Sequence, residues 1–146
     1  MNEIVGYARE CLNTPFRHQG RVCGYGQLLT DGKTYAGFLD CAGVIIHVAK
    51  RKGVEHADMQ GYPRLPFKNT LKDFLDAQPN LVEVPIADMA AGDVILMRIK
   101  AAPQHLGIYV GNGYMIHAYD DVGRTVEQRI DDVWLKKITA VYRFVR

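Results

Sequence analysis

Asp40-Cys41-Ala42-Gly43-Val44-Ile45-Ile46-His47-Val48-Ala49-Lys50-Arg51-Lys52-Gly53 reads as one helix that is apolar over most of its circumference. Ala42, Val44, Ile45, Ile46, Val48 and Ala49 leave no wide polar face, so the segment from Cys41 to about Lys52 is predicted to be the central buried helix. Lys50, Arg51 and Lys52 sit in its last turn, where cations suit the negative end of the helix dipole. Gly53 is a natural C-cap. Such a helix needs partners on several sides, and the flanking sequence supplies them.

On the N-terminal side, Ile4, Val5, Ala8, Cys11 and Leu12 recur at helical spacing, so residues 3–12 read as a helix that ends at Asn13-Thr14-Pro15. Cys11 on that stripe reads as a small buried hydrophobe. Residues 17–38 read as irregular, and a loop this long in a small domain is usually functional or mobile. Cys23 lies in it, with no role assigned. On the C-terminal side, a loop carries Gly61, Pro63 and Pro66. Phe67, Leu71, Phe74 and Leu75 then suggest a third amphipathic helix, closed before Pro79. After Pro79 the period becomes that of strands: Leu81–Val84, Val94–Ile99, His105–Val110, Tyr114–Ala118, Thr125–Ile130 and Ala140–Val145, with a helical turn over Asp132–Lys137. Helices first and strands after is an α+β pattern, with helices packed on one antiparallel sheet.

The chain has 146 residues, about one domain by the usual range of roughly 100–200 residues, and 1–146 reads as a single domain. Hydrophobic residues make up 48%, enough for a packed core and against wholesale disorder. The formal net charge of +2 and the absence of a basic stripe argue against a nucleic-acid partner. No segment approaches the about 18 apolar residues of a transmembrane helix, so no membrane insertion is expected. The Met1-Asn2-Glu3-Ile4 start shows no secretory signal. Synthesis in the bacterial cytoplasm is expected, with any exit by another route. The cysteines are Cys11, Cys23 and Cys41, an odd count without a Cys-x-x-Cys pair, which leaves at least one free thiol.

Cys41 stands at the first turn of the apolar helix, where unpaired N–H groups and the dipole favour thiolate over thiol. Among the histidines, His47 is expected to be solvent-exposed, on the side shared by Gly43, Lys50 and Arg51. His56 reads as solvated and His18 stays open. His105 and His117 stand on the arms of a hairpin around Gly111-Asn112-Gly113. A plain two-residue turn at Asn112-Gly113 would pair 117 with 108 and send the imidazoles to opposite faces. A three-residue loop with Gly113 left-handed would pair 117 with 107. The imidazoles would then be diagonal neighbours, Cα atoms about 7–8 Å apart, beside the central helix. The second register is preferred, because one imidazole can then act as base while the other orients it. Thiol, imidazole and a third polar group make an activated nucleophile.

Taken together, Thr14-Pro15-Phe16-Arg17-His18-Gln19-Gly20-Arg21, Leu39-Asp40-Cys41-Ala42-Gly43-Val44, Ala91-Gly92-Asp93-Val94-Ile95-Leu96, His105-Leu106-Gly107-Ile108-Tyr109-Val110-Gly111 and Met115-Ile116-His117-Ala118 resemble the NlpC/P60 family of papain-like cysteine peptidases. The Arg17–Arg21 version, without a visible signal or wall-binding segment, is similar to the phage-tail and prophage branch. The resemblance implies a papain-like fold and a triad of Cys41 as nucleophile, His105 as general base and His117 as orienting residue. Asp120 and Asp121 are rival orienters. It implies hydrolysis of amide bonds in the peptidoglycan stem peptide, often between D-glutamate and the diamino acid, with no metal or organic cofactor, and phage tail-tip proteins as partners on a virion. Candidates for substrate or oxyanion contacts are Phe16, His18, Gln19 and Asp40. The family usually carries a tyrosine where this chain has Phe16, which offers no hydroxyl. The Cys41 N–H can supply one oxyanion donor, and His18, Gln19 or Tyr35 is a candidate for a second. Three other readings compete: an inactive structural component of a tail tip with the same fold, a zinc site built from Cys41, His105 and His117, and a thiol amidase or acyltransferase acting on another substrate.

Overall fold

Asp40 starts the central helix by accepting a hydrogen bond from the Gly43 N–H at 2.9 Å. A computed structural model of the chain describes residues 2–24, 37–63, 69–99 and 103–145. The elements in order are α1 (Glu3–Arg9), β1 (Arg21–Val22), β2 (Phe38–Leu39), α2 (Cys41–Lys52), α3 (Thr70–Asp76), β3 (Leu81–Val84), a 3-10 turn (Ile86–Asp88), β4 (Val94–Arg98), β5 (Pro103–Gly111), β6 (Tyr114–Tyr119), β7 (Arg124–Arg129), α4 (Asp132–Leu135) and β8 (Ile138–Phe144). The expected α+β arrangement is present. α1 stops at Arg9, three residues early, because Cys11 and Leu12 are held by tighter turn bonds to Ala8 and Arg9. α3 starts at Thr70, and Phe67 and Pro66 lie outside the described residues. The segment 17–38 is not wholly irregular: its ends pair as β1 and β2.

The main sheet has the order β3-β8-β4-β5-β6-β7, with every neighbouring pair antiparallel. β4 shows how its two faces are covered. Val94 and Leu96 join the core beneath α1, α2 and α3. Ile95 and Met97 join a second cluster around Trp134 of α4. Burial on both faces explains why β4 reads as an unbroken apolar run rather than an alternating one.

α2 is the most buried helix, with only one side of its last turn reaching solvent. Burying a side chain such as Val44, Ile45 or Ile46 contributes about 1.5–3 kcal/mol, so this helix anchors the fold. Its first turn lies against the backbone of Gly20: a Cβ on Gly43 would stand 2.3 Å from the Gly20 carbonyl oxygen. Only glycine at 43 permits that approach, which fixes where Cys41 begins the helix. No helix among the described residues is long and apolar enough to cross a membrane.

Candidate active site

Cys41 and His105 line one cleft of about 450 Å³. Phe16, His18, Asp40, Tyr62, Tyr119 and Asp121 are among the other walls. The cleft lies where the first turn of α2 meets the start of β5.

The β5–β6 hairpin sets the imidazoles. Ile108 pairs with Ile116 and Tyr109 with Met115, so the preferred register is the one present, with 107 opposite 117. The turn that produces it differs from expectation. Gly111 pairs with Tyr114 across a two-residue turn in which Asn112 (φ 55°) and Gly113 (φ 81°) are both left-handed. An extra residue, Val110, then bulges from β5 and shifts the register by one. The imidazoles also lie on a different side from the one expected. Leu106 and Ile116 pack into the core under α2, whereas His105 and His117 project to the Trp134 side of the sheet. Only the end of α2, with Cys41, reaches the same cleft.

His105 Nε2 lies 2.6 Å from His117 Nδ1, and His117 Nε2 lies 2.8 Å from Gln128 Oε1. The amide oxygen can only accept, so His117 carries its proton on Nε2 and accepts at Nδ1. His105 must then donate from Nε2, which leaves its Nδ1 lone pair to receive a proton. Three residues thus define one tautomer. Gln128 was not singled out from sequence, because its side chain arrives from β7 through the pairing of Met115 with Gln128. Tyr119 stacks on His117 with ring centroids 5.0 Å apart, and Trp134 stands 5.4 Å from His117 and 6.0 Å from His105. Burial among these rings, and then the neighbouring His117, hold His105 well below the usual imidazole pKa. Burial lowers His117 too, opposed by the bond to Gln128.

The thiol departs from the expectation of a thiolate. Burial, followed by the Asp40 carboxylate, pushes Cys41 up to about 12, against the downward pull of the Leu106 and Ala42 N–H groups and of Arg21. The N-terminus of α2 does favour the thiolate, but its capping carboxylate is adjacent and the sulfur is shielded by the surrounding side chains. The resting pair is therefore a neutral thiol and a neutral imidazole.

The other candidates have structural duties. Asp40 lines the cleft, but Oδ1 accepts from Gly43 and from Arg21 Nη1 at 2.7 Å, and Oδ2 accepts from the Gln19 N–H at 2.9 Å and from the Tyr62 hydroxyl. No oxygen of this carboxylate is left for substrate. His18 lines the cleft, yet its Nε2 proton goes to the Tyr62 carbonyl at 2.8 Å. Gln19 is exposed and its amide turns to the same carbonyl at 3.2 Å. Neither is the second oxyanion donor in this arrangement. Tyr35 lies outside the described residues. Phe16 is a cleft wall held beside Leu39. The Cys41 N–H, in the first helical turn and without a helical acceptor, remains the donor built into the chain. Asp121 accepts from the Tyr119 hydroxyl at 3.0 Å, while Nε2 of His105 is taken by His117 and not by an aspartate. The line of bonds also opposes a zinc site made with Cys41 and both histidines, since His117 has one ring nitrogen on His105 and the other on Gln128 and would have to break one of those bonds to bind metal. His56 is half-buried and bonds the Val54 carbonyl at 3.0 Å. His47 is not solvent-exposed, contrary to expectation: its side chain is 14% accessible and bonds Glu10 at 2.9 Å.

The chain is similar to known proteins over its whole length. The P60 domain of a M. avium subspecies paratuberculosis antigen superposes with a TM-score of 0.64 at 20% identity, covering 99% of this chain and 96% of that one. The peptidoglycan hydrolase RipB of Mycobacterium tuberculosis superposes with a TM-score of 0.65 at 24% identity, covering 99% of this chain and 66% of that one. In sequence, the chain is 27% identical over 146 residues to the probable peptidoglycan endopeptidase LytE of Bacillus subtilis, spanning 99% of this chain but only 34% of LytE. It is 28% identical over 57 residues to the murein DD-endopeptidase/LD-carboxypeptidase MepS of Escherichia coli, or 39% of this chain and 30% of MepS. The chain thus spans about a third of the length of these curated relatives. With residues 14–143 matching the family model, on a fold shared with solved P60 domains, the chain belongs to the NlpC/P60 family.

Proposed function

We propose that this chain is a cysteine peptidase that hydrolyses amide bonds in the stem peptide of bacterial peptidoglycan, with the bond between D-glutamate and the diamino acid as its target. One observation carries the reading: Cys41 and His105 share a cleft, and His105 is backed by the His117–Gln128 line that leaves Nδ1 as a proton acceptor. The relatives named as peptidoglycan and murein endopeptidases supply the substrate class. The resemblance of the Arg17–Arg21 motif to the phage-tail branch of the family is the ground for proposing delivery on a virion.

His105 Nδ1 takes the Cys41 proton as the sulfur attacks the carbonyl carbon. The Cys41 N–H faces the developing oxyanion. The imidazolium returns its proton to the leaving amine, and His105 then activates the water that releases the acyl group from sulfur. His117 and Gln128 keep the ring in its reactive tautomer throughout. Digestion of purified sacculi, with mass spectrometry of the soluble products, tests the reading. Peptides cut between D-glutamate and the diamino acid are expected. Intact sacculi of several wall chemotypes after prolonged incubation would overturn it.

Because the pair rests neutral, kcat/KM should stay flat through neutrality, with its acid limb well below pH 6.5. Gln128→Leu removes the acceptor that sets the tautomer. It is expected to lower kcat on the order of 10-fold with KM little changed. Gln128→Glu should restore the rate and move the acid limb to higher pH, since a carboxylate stabilises the charged imidazoles. Equal pH profiles for the three proteins would count against this role for Gln128.

A further inference from the structure

A second cluster of reactive side chains lies away from the cleft. Cys11 follows α1, Cys23 follows β1, and His47 lies midway along α2, six residues and roughly 9 Å of helix beyond Cys41. Their ligating atoms all fall within 4.8 Å of one another. Three segments distant in sequence thus converge two thiols and one imidazole on a point. The Cys11 thiol is buried and the other two groups are half-buried.

The surroundings suit a metal ion. His47 Nε2 bonds Glu10 Oε1 at 2.9 Å, so a carboxylate orients the ring, and the same imidazole is in hydrogen-bond contact with the Cys23 thiol. Arg51 takes both oxygens of that carboxylate, at 2.8 and 3.0 Å, and pins it behind the histidine. A carboxylate behind a metal-bound imidazole is a recurring support for such ligands. Cys23 meanwhile points its thiol at the Glu10 carbonyl at 3.3 Å. Sulfur and nitrogen donors disfavour magnesium and calcium and favour zinc-class ions. Two thiolates would also neutralise a dication, which a half-buried position requires.

We propose that Cys11, Cys23 and His47 form a binding site for a zinc-class divalent ion, held by two thiolates and one imidazole with a water in the fourth position. Binding releases the two thiol protons and changes no oxidation state. The ion would tie the end of α1 and the segment after β1 to the middle of α2, as a structural clamp separate from the cleft.

The test uses the full chain carrying Cys41→Ser, reduced and freed of metal with a chelator. The catalytic thiol is then absent, and the result does not depend on the peptidase reading. Titration with Co²⁺ should give one equivalent bound, with thiolate-to-metal charge-transfer absorption that Zn²⁺ removes. Zn²⁺ should raise the thermal midpoint. Affinity should tighten with pH, by as much as ~100-fold per unit while both thiols release protons. Cys23→Ser should abolish the absorption, and Glu10→Gln should weaken binding about 10–100-fold. Thermal melts of the metal-free variants check that they remain folded. Absence of stoichiometric uptake by the reduced parent, or absorption that survives Cys23→Ser in a folded protein, would overturn the proposal.

Discussion

Cys41→Ser is expected to bring peptide release from purified sacculi down to background, a loss on the order of 10⁴–10⁶-fold in kcat/KM. In the proposed mechanism the resting thiol is neutral and loses its proton to His105 during attack. A hydroxyl holds its proton more strongly and is the weaker nucleophile, so the same base cannot activate it to the same degree. The change is nearly isosteric at a half-buried first-turn position, so the melting transition should move by less than about 1 kcal/mol. The loss will then belong to the chemistry and not to folding. A variant that still releases stem peptides at a tenth of the parent rate would remove Cys41 from the nucleophile's role.

The largest effect on stability is expected at Asp40. Asp40→Ala removes the cap of α2 and strips the half-buried guanidinium of Arg21 of its nearest carboxylate. Breaking a buried ion pair by deleting one partner costs about 3–5 kcal/mol. Arg21 is partly exposed and keeps Asp58 at 3.0 Å, which places the cost at the low end, about 3 kcal/mol, with a lost cap adding about 1. Urea denaturation should report that loss with an unchanged m-value. Asp40→Asn retains an oxygen for the Gly43 N–H and should recover the cap but not the pair. Asp40→Ala also takes a negative charge from beside the Cys41 thiol, so the sulfur should become easier to deprotonate in whatever fraction stays folded. Pulsed alkylation across a pH range will separate the two consequences.

The long elements were legible because their periods are long. α2 spans Cys41–Lys52 as its apolar composition implies, and β4, β5 and β6 match their expected runs to within two residues at each end. β1 and β2 were not legible, since two residues carry no period and their pairing depends on a partner distant in sequence. The same holds for polar contacts. His47 shows nothing in sequence that ties it to Glu10, and Gln128 shows nothing that ties it to His117, because both pairings depend on how separate elements pack. The charge state of Cys41 was misjudged from the helix dipole alone. Burial and the adjacent Asp40 charge outweigh the helix end once the pocket closes around the sulfur.

Val110 has no place in the cleft, yet it determines whether the cleft holds a pair of imidazoles. It is the extra residue that sets 107, and not 108, opposite 117. His105 lies five residues away, about 17 Å along an extended strand. The hairpin tip is therefore a parity switch for the face that carries the two imidazoles. Anyone grafting His105 and His117 onto another scaffold must carry over the irregularity at 110 as well as the two side chains. A variant of this domain can change the side chain at 110, but the left-handed Asn112-Gly113 turn and the odd count of residues inserted before it have to stay.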